Sequence, residues 1–226
     1  MKRLIVLLLV LVCLFPAAAL GDGKLSITDK NLIVYEGDDS GYLFAKVQNT
    51  GDADVGVGYG SLAAFSENDE IIFTDGYISS TQGRINLKPG EYTYVSEYIW
   101  ETALETTAVA DYKFSMKPDG NADKMERVVS KAIIDLGDAN SYNHYIYVTF
   151  TNTTDVVWDR FNVTVALIGN DGRLLFADGD TTDDISLHPG GTITKKIYIR
   201  HDLVEYYERN DLKPDSVDSI VSYTVD

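Results

Sequence analysis

Two stretches of this chain repeat each other at a fixed spacing, and a repeat of about one hundred residues restricts the fold to two copies of one unit. Val47-Gln48-Asn49-Thr50-Gly51-Asp52 returns as Phe150-Thr151-Asn152-Thr153-Thr154-Asp155, and Ile71-Ile72-Phe73-Thr74-Asp75-Gly76 returns as Leu174-Leu175-Phe176-Ala177-Asp178-Gly179, both displaced by 103 residues. Ile85-Asn86-Leu87-Lys88-Pro89-Gly90 returns as Ile185-Ser186-Leu187-His188-Pro189-Gly190, displaced by 100, so the segment in between is three residues shorter in the second copy. Such length changes belong in loops. The copies run over residues 25–118 and 126–226, and Asp119-Gly120-Asn121-Ala122-Asp123 between them has the composition of an exposed linker.

Within each copy the pattern is of strands and turns. Tyr42–Val47 and Tyr145–Phe150 are β-branched or aromatic runs that end in an Asn-Thr turn. Phe161–Leu167 alternates with period two, placing Phe161, Val163, Val165 and Leu167 on one face of a strand, and Val55–Tyr59 alternates likewise. Asn68-Asp69-Glu70 and Asn170-Asp171-Gly172 stand where hairpin turns are needed. Further strands are expected at Tyr92–Trp100, Tyr112–Met116, Thr192–Ile199 and Ser219–Val225. The fold class is therefore all-β, read as two tandem antiparallel immunoglobulin-like β-sandwiches. Asp202–Asn210 breaks the pattern as a short helix capped by Asp202, with Leu203, Tyr206 and Tyr207 along one side.

The order of strand, Asn-Thr turn, alternating strand, Asn-Asp-Gly turn, apolar hairpin partner and Leu-x-Pro-Gly resembles the FxLYD-type and related immunoglobulin-like modules of prokaryotic envelope and secreted proteins. The namesake motif would fall on Leu62–Ser66 and Val165–Gly169, where the initial aromatic and terminal Asp are missing and Leu167 is the one identical residue. The resemblance implies an extracytoplasmic binding, spacer or assembly module and carries no catalytic residues.

The N-terminus indicates the compartment. Met1-Lys2-Arg3 is a positive start, Leu4–Phe15 is an apolar run of 12 residues, and Pro16-Ala17-Ala18-Ala19 supplies the small residues of a cleavage site. Twelve helical residues cover roughly 18 Å, short of the ~30 Å hydrocarbon core, so residues 1–19 read as a signal peptide, with retention as an anchor the alternative. Cys13, the sole cysteine, follows Val12 and precedes Leu14, which is no lipidation context. The mature chain is expected to be soluble, secreted or associated with the cell envelope. Asp and Glu number 35 against 19 Lys and Arg, a net charge of −16 that repels nucleic acid and anionic lipid alike.

Chemistry-bearing motifs are few. His144, His188 and His201 show no metal-ligand spacing and read as exposed loop residues. Gly56-Val57-Gly58-Tyr59-Gly60 lacks the Lys of a phosphate loop, and its glycines are expected where another layer approaches. Most tyrosines lie in strands, where they pack across a sheet; adjacent Tyr206 and Tyr207 cannot both face inward. Asn152-Thr153-Thr154 and Asn162-Val163-Thr164 are sequons that matter only in a host with glycosylation machinery. Asp178-Gly179-Asp180-Thr181-Thr182-Asp183-Asp184 replaces a first-copy loop that carries one carboxylate and Arg84, and is expected to be either a solvated acidic loop or a weak calcium site using Asp178, Asp180 and Asp183 or Asp184. The EF-hand pattern fails, since the twelfth position from Asp178 is Pro189. The expected function is non-enzymatic binding or assembly at the cell envelope, with an extracytoplasmic protein or polysaccharide as partner. A carbohydrate-binding module is the alternative and a small secreted hydrolase the third reading.

Overall fold

A computed structural model describes residues 22–137 and 142–225. The leader expected over residues 1–19, Cys13 included, lies outside the described residues. With 59% of residues in strands and 6% in helix, the class is all-β. The first half supplies β1 (Leu25–Val34), β2 (Ser40–Asn49), β3 (Val55–Phe65), β4 (Ile71–Ile78), the two-residue β5 (Asn86–Leu87), β6 (Tyr92–Trp100), a single 3-10 turn at Thr102–Glu105 and β7 (Asp111–Pro118). The second supplies β8 (Met125–Val128), β9 (Ser130–Leu136), β10 (His144–Thr151), β11 (Phe161–Gly169), β12 (Leu174–Thr182), β13 (Thr192–Tyr198), a helix α1 (His201–Arg209) and β14 (Pro214–Thr224).

The strands form antiparallel sheets of matching order: β1-β2-β6 corresponds to β9-β10-β13, and β4-β3-β7 corresponds to β12-β11-β14, which β8 extends. The correspondence holds residue by residue. Ala64 pairs with Phe73 as Leu167 pairs with Phe176, and Val55 bridges Leu87 as Trp158 bridges Leu187. The Asn-Thr turns explain why. Buried Asn49 donates from Nδ2 to the carbonyls of Ala53 (2.8 Å) and Leu87 (2.9 Å), and buried Asn152 donates to those of Val156 (2.8 Å) and Leu187 (2.7 Å). Each Oδ1 accepts a turn amide, from Gly51 in one half and Thr154 in the other. One side chain thus satisfies the backbone groups of its turn, with a buried bond to the Leu87 or Leu187 carbonyl among them. Both sequon asparagines, Asn152 and Asn162, are buried in the folded chain.

Burial along β2 shows how the halves meet. Leu43, Ala45 and Val47 join a core with Leu62, Ala64, Phe73 and Phe114, whereas Tyr42 and Phe44 belong to the core of the second half. A strand buried on both faces reads as continuously apolar, as Tyr42-Leu43-Phe44-Ala45 does. The sheets therefore stack in four layers: β4-β3-β7, β1-β2-β6, β12-β11-β14-β8 and β9-β10-β13. Between the middle two runs a polar seam. Tyr92 and Tyr94 donate to Asp218 Oδ2 (2.7 and 2.8 Å), Gln82 Nε2 donates to Ser222 Oγ (2.8 Å), and Thr81 meets Thr164 at 3.0 Å. A Cβ on Gly179 would stand 2.6 Å from the Thr81 carbonyl, so only glycine admits the approach there.

Two expectations need correction. The Asp119–Asp123 segment is not a free tether: Asp119 N donates to Gly56 O and Asp123 N to Arg84 O, while Arg84 pairs with the Asp119 carboxylate. It is this returning backbone, rather than a separate layer, that leaves no room for a Cβ on Gly56. In α1 the cap is Arg200 with no side-chain bond, and Asp202 sits in the first turn instead, held by Arg200. Leu203, Val204 and Tyr207 are the buried residues of α1, with Tyr207 donating to Leu175 O (2.7 Å), and Tyr206 packs half-buried against Tyr35.

Candidate ligand-binding cleft at the seam

The β1–β2 turn and the end of β6 lie side by side at one end of the seam. Gly37 takes a positive φ of 73°, which closes the turn, and Glu101 N donates to Asp39 O (2.7 Å), fixing the β6 end beside it. Trp100 is 73% exposed, yet its indole N–H donates to the Asp39 carboxylate and sets the ring in one orientation. Tyr98, on the same side of β6 two residues earlier, is 44% exposed and lies 5.1 Å from the Tyr42 ring. From the second half, the Arg200 guanidinium stands 5.0 Å over Tyr98 and 5.5 Å over Tyr42, and bonds Asp202 through two nitrogens (3.1 and 2.9 Å). A planar cation stacked on aromatic faces and tied to a carboxylate is held in a fixed geometry.

Asp39, Tyr98, Trp100, Arg200 and Asp202 line a cleft of about 490 Å³, whose walls also carry Glu36 and Asp38 from the first half and Glu205 and Arg209 from the second. A groove of about 590 Å³ continues beyond Glu36 between the β1 end, the Thr106–Ala110 loop and Tyr206. Burial first, and Asp202 second, push the phenols of Tyr35 and Tyr42 far above their ordinary value, so both remain neutral hydroxyls. The cleft therefore offers exposed aromatic rings, carboxylate acceptors and guanidinium donors, the mix that suits a polyhydroxylated or mixed-charge ligand.

The structure separates the acids named from sequence. What reads as a loop is strand as far as Thr182, because β12 stays in register with β11 from Phe176 to that residue. Asp178 pairs opposite Val165, accepts Gly179 N at 2.7 Å, and burial raises its carboxyl above the usual range. Asp180 is taken by Lys195 Nζ at 2.5 Å, and Asp183 and Asp184 are exposed beyond the strand. Among the described residues no group of three or more His, Cys, Asp or Glu is brought together that could hold a metal ion. Asp178 has a testable consequence. A carboxyl whose folded value is raised binds more protons folded than unfolded, so stability falls as pH rises through the window above the ordinary Asp value. Asp178→Asn should accordingly raise the melting temperature at pH 7, and the gain should vanish near pH 4.

The histidines divide. His188 is exposed in its Pro-Gly turn, as expected. His144 is buried instead, with Nε2 3.2 Å from Nδ1 of His201 and the rings nearly parallel, and His201 Nε2 lies 3.3 Å from Glu205. Tyr98 pairs across the sheet with Tyr42, as a strand tyrosine is expected to, yet stays 44% exposed, and nothing in the sequence singles out Trp100. Both lie on the β6 side that carries Tyr94, but past the point where the second half covers that face.

No protein-family model matches the chain, and no curated protein is similar to it. Among solved structures, the transglutaminase of red sea bream aligns over 89% of this chain at 13% identity with a TM-score of 0.28, a likeness too low to carry an argument. This chain spans 29% of that one. Fold and cleft define the class: an all-β protein of stacked antiparallel sheets with an aromatic-lined surface cleft.

Proposed function

We propose that this chain is a secreted, non-enzymatic pair of tandem immunoglobulin-like β-sandwiches that binds or assembles components at the cell envelope, with the Trp100 cleft as its ligand-contact surface. The observation that carries this reading is Trp100 itself, 73% exposed but already oriented by Asp39 beside Tyr98 and Arg200. A large apolar ring fixed in water is disfavoured without a partner, and holding it in place removes part of the ordering cost of binding. Hydrolysis gains no support from the cleft: the carboxyls held above the usual range, Asp178 and Glu97, do not line it. The exposed rings of Trp100 and Tyr98 favour a polysaccharide as ligand, which makes the carbohydrate-binding module the second reading.

The two tryptophans make the test selective, because Trp158 is buried and stacked on Tyr223 at 4.6 Å. Titrating the chain with soluble envelope polysaccharides should change the Trp100 emission, Trp100→Phe should lose that signal, and Trp100→Ala should weaken binding at least about tenfold, the effect of a central anchor residue. Unchanged emission across the panel, or an alanine variant that binds as well as wild type, would remove the cleft from the account.

A further inference from the structure

We propose that the chain stacks head-to-tail on copies of itself, the outer face of β9-β10-β13 on one copy seating against the outer face of β4-β3-β7 on the next. This deepens the assembly side of the proposed function and uses surfaces other than the Trp100 cleft.

The seam inside the chain shows which faces of this fold pair. There the outer face of β1-β2-β6 covers the outer face of β12-β11-β14. The repeat equivalents of these two faces are the ones left open at the ends of the four-layer stack. Such an interface joins two different surfaces, so the operation that places the second half on the first places a third unit on the second, and nothing in it demands closure after one step.

The open faces keep the seam's complementarity in altered chemistry. In the seam, Asn31 on β1 donates to Leu174 O on β12 (2.8 Å). By pairing register and the 103-residue spacing their equivalents are Ile133, which pairs Tyr147 as Asn31 pairs Phe44, and Ile71. Both are large apolar side chains in water, 54% and 65% exposed. Where Tyr92 and Tyr94 donate to Asp218, the open faces carry Thr192 and Thr194 against Lys113, so hydroxyls that accept replace hydroxyls that donate. Gly179, jammed by Thr81 in the seam, has Gly76 as its equivalent, and a Cβ on Gly76 would meet nothing within 4 Å. Gly76 opens onto a trough of about 400 Å³ floored by Ser61, Ala63, Thr74 and Ser115. Small residues on one face and large side chains on the other, with polar pairs between them, are what the seam uses, and a second copy supplies them. The net charge of −16 opposes self-contact, so stacking should strengthen as salt screens it.

Sedimentation velocity of the chain lacking residues 1–19, in rising salt and at concentrations up to about 1 mM, reads the result directly. Wild type should give a graded series of dimers, trimers and longer species. Ile133→Asp and Ile71→Asp should each weaken association at least 100-fold and run as monomers, while an equimolar mixture of the two should form dimers only, since one variant keeps each face. Thr74→Arg serves in place of Ile71→Asp if the latter melts early. Trp100→Ala should assemble like wild type, which separates this proposal from the ligand reading. A wild-type monomer throughout, a closed dimer that survives either aspartate variant, or a mixture that stays monomeric would overturn it.

Discussion

Truncating Phe176 to alanine should destabilise the protein by about 3 to 5 kcal/mol, a large share of the roughly 5 to 15 kcal/mol that holds a folded protein together. The side chain is 4% exposed, sits opposite Leu167 in the β11–β12 pairing, and its ring lies 5.8 Å from that of Phe44 across the seam. Its removal opens a cavity between the halves, where two packed sheets cannot collapse to fill it. Urea unfolding at constant slope checks the figure. A loss under about 1 kcal/mol would mean that Phe176 is not enclosed.

Asp218→Ala should cost about 2 to 6 kcal/mol, because one carboxylate oxygen accepts from both Tyr92 and Tyr94 and its loss leaves two part-buried hydroxyls without a partner, each worth roughly 1 to 3 kcal/mol. Burial, with Asp218 beside it, pushes the Tyr92 phenol up to about 12 and that of Tyr94 higher still, so both are donors throughout the physiological range. Asp218→Asn keeps an acceptor in place and should recover most of the loss. If alanine and asparagine behave alike, the tyrosines find other partners and the seam does not depend on Asp218.

The repeat was readable because turn chemistry fixes register. Asn49 anchors four backbone groups and Asn152 three, and Asp69 and Gly172, one repeat apart, both adopt positive φ, so the spacing in the sequence is the spacing in the sheets. The seam was harder to see. Periodicity says that Tyr42 and Leu43 point to opposite faces, yet only the unbroken apolar run signals that both faces are covered, and it does not say by what. The acidic segment misled for a related reason: four carboxylates suggest a loop, but Lys195 on β13 neutralises Asp180 from a strand that sequence spacing does not place beside it. Trp100 was illegible because its exposure depends on where the second half stops covering β6, a property of packing rather than of pattern.

β1-β2-β6 is a wall shared by both cores, and the cleft takes Trp100 and Asp39 from one half and Arg200 and Asp202 from the other. Native-state hydrogen exchange tests this most directly, because it reports the free energy of the opening that frees each amide. Amides of β2, from Tyr42 to Val47, should exchange through the same opening as those of β11, from Val163 to Leu167, with equal free energies, and Asp218→Ala should lower both sets together. A β2 that exchanges through a lower-energy opening of the first half, while β11 stays protected, would contradict the shared wall and leave the chain as two sandwiches that merely touch.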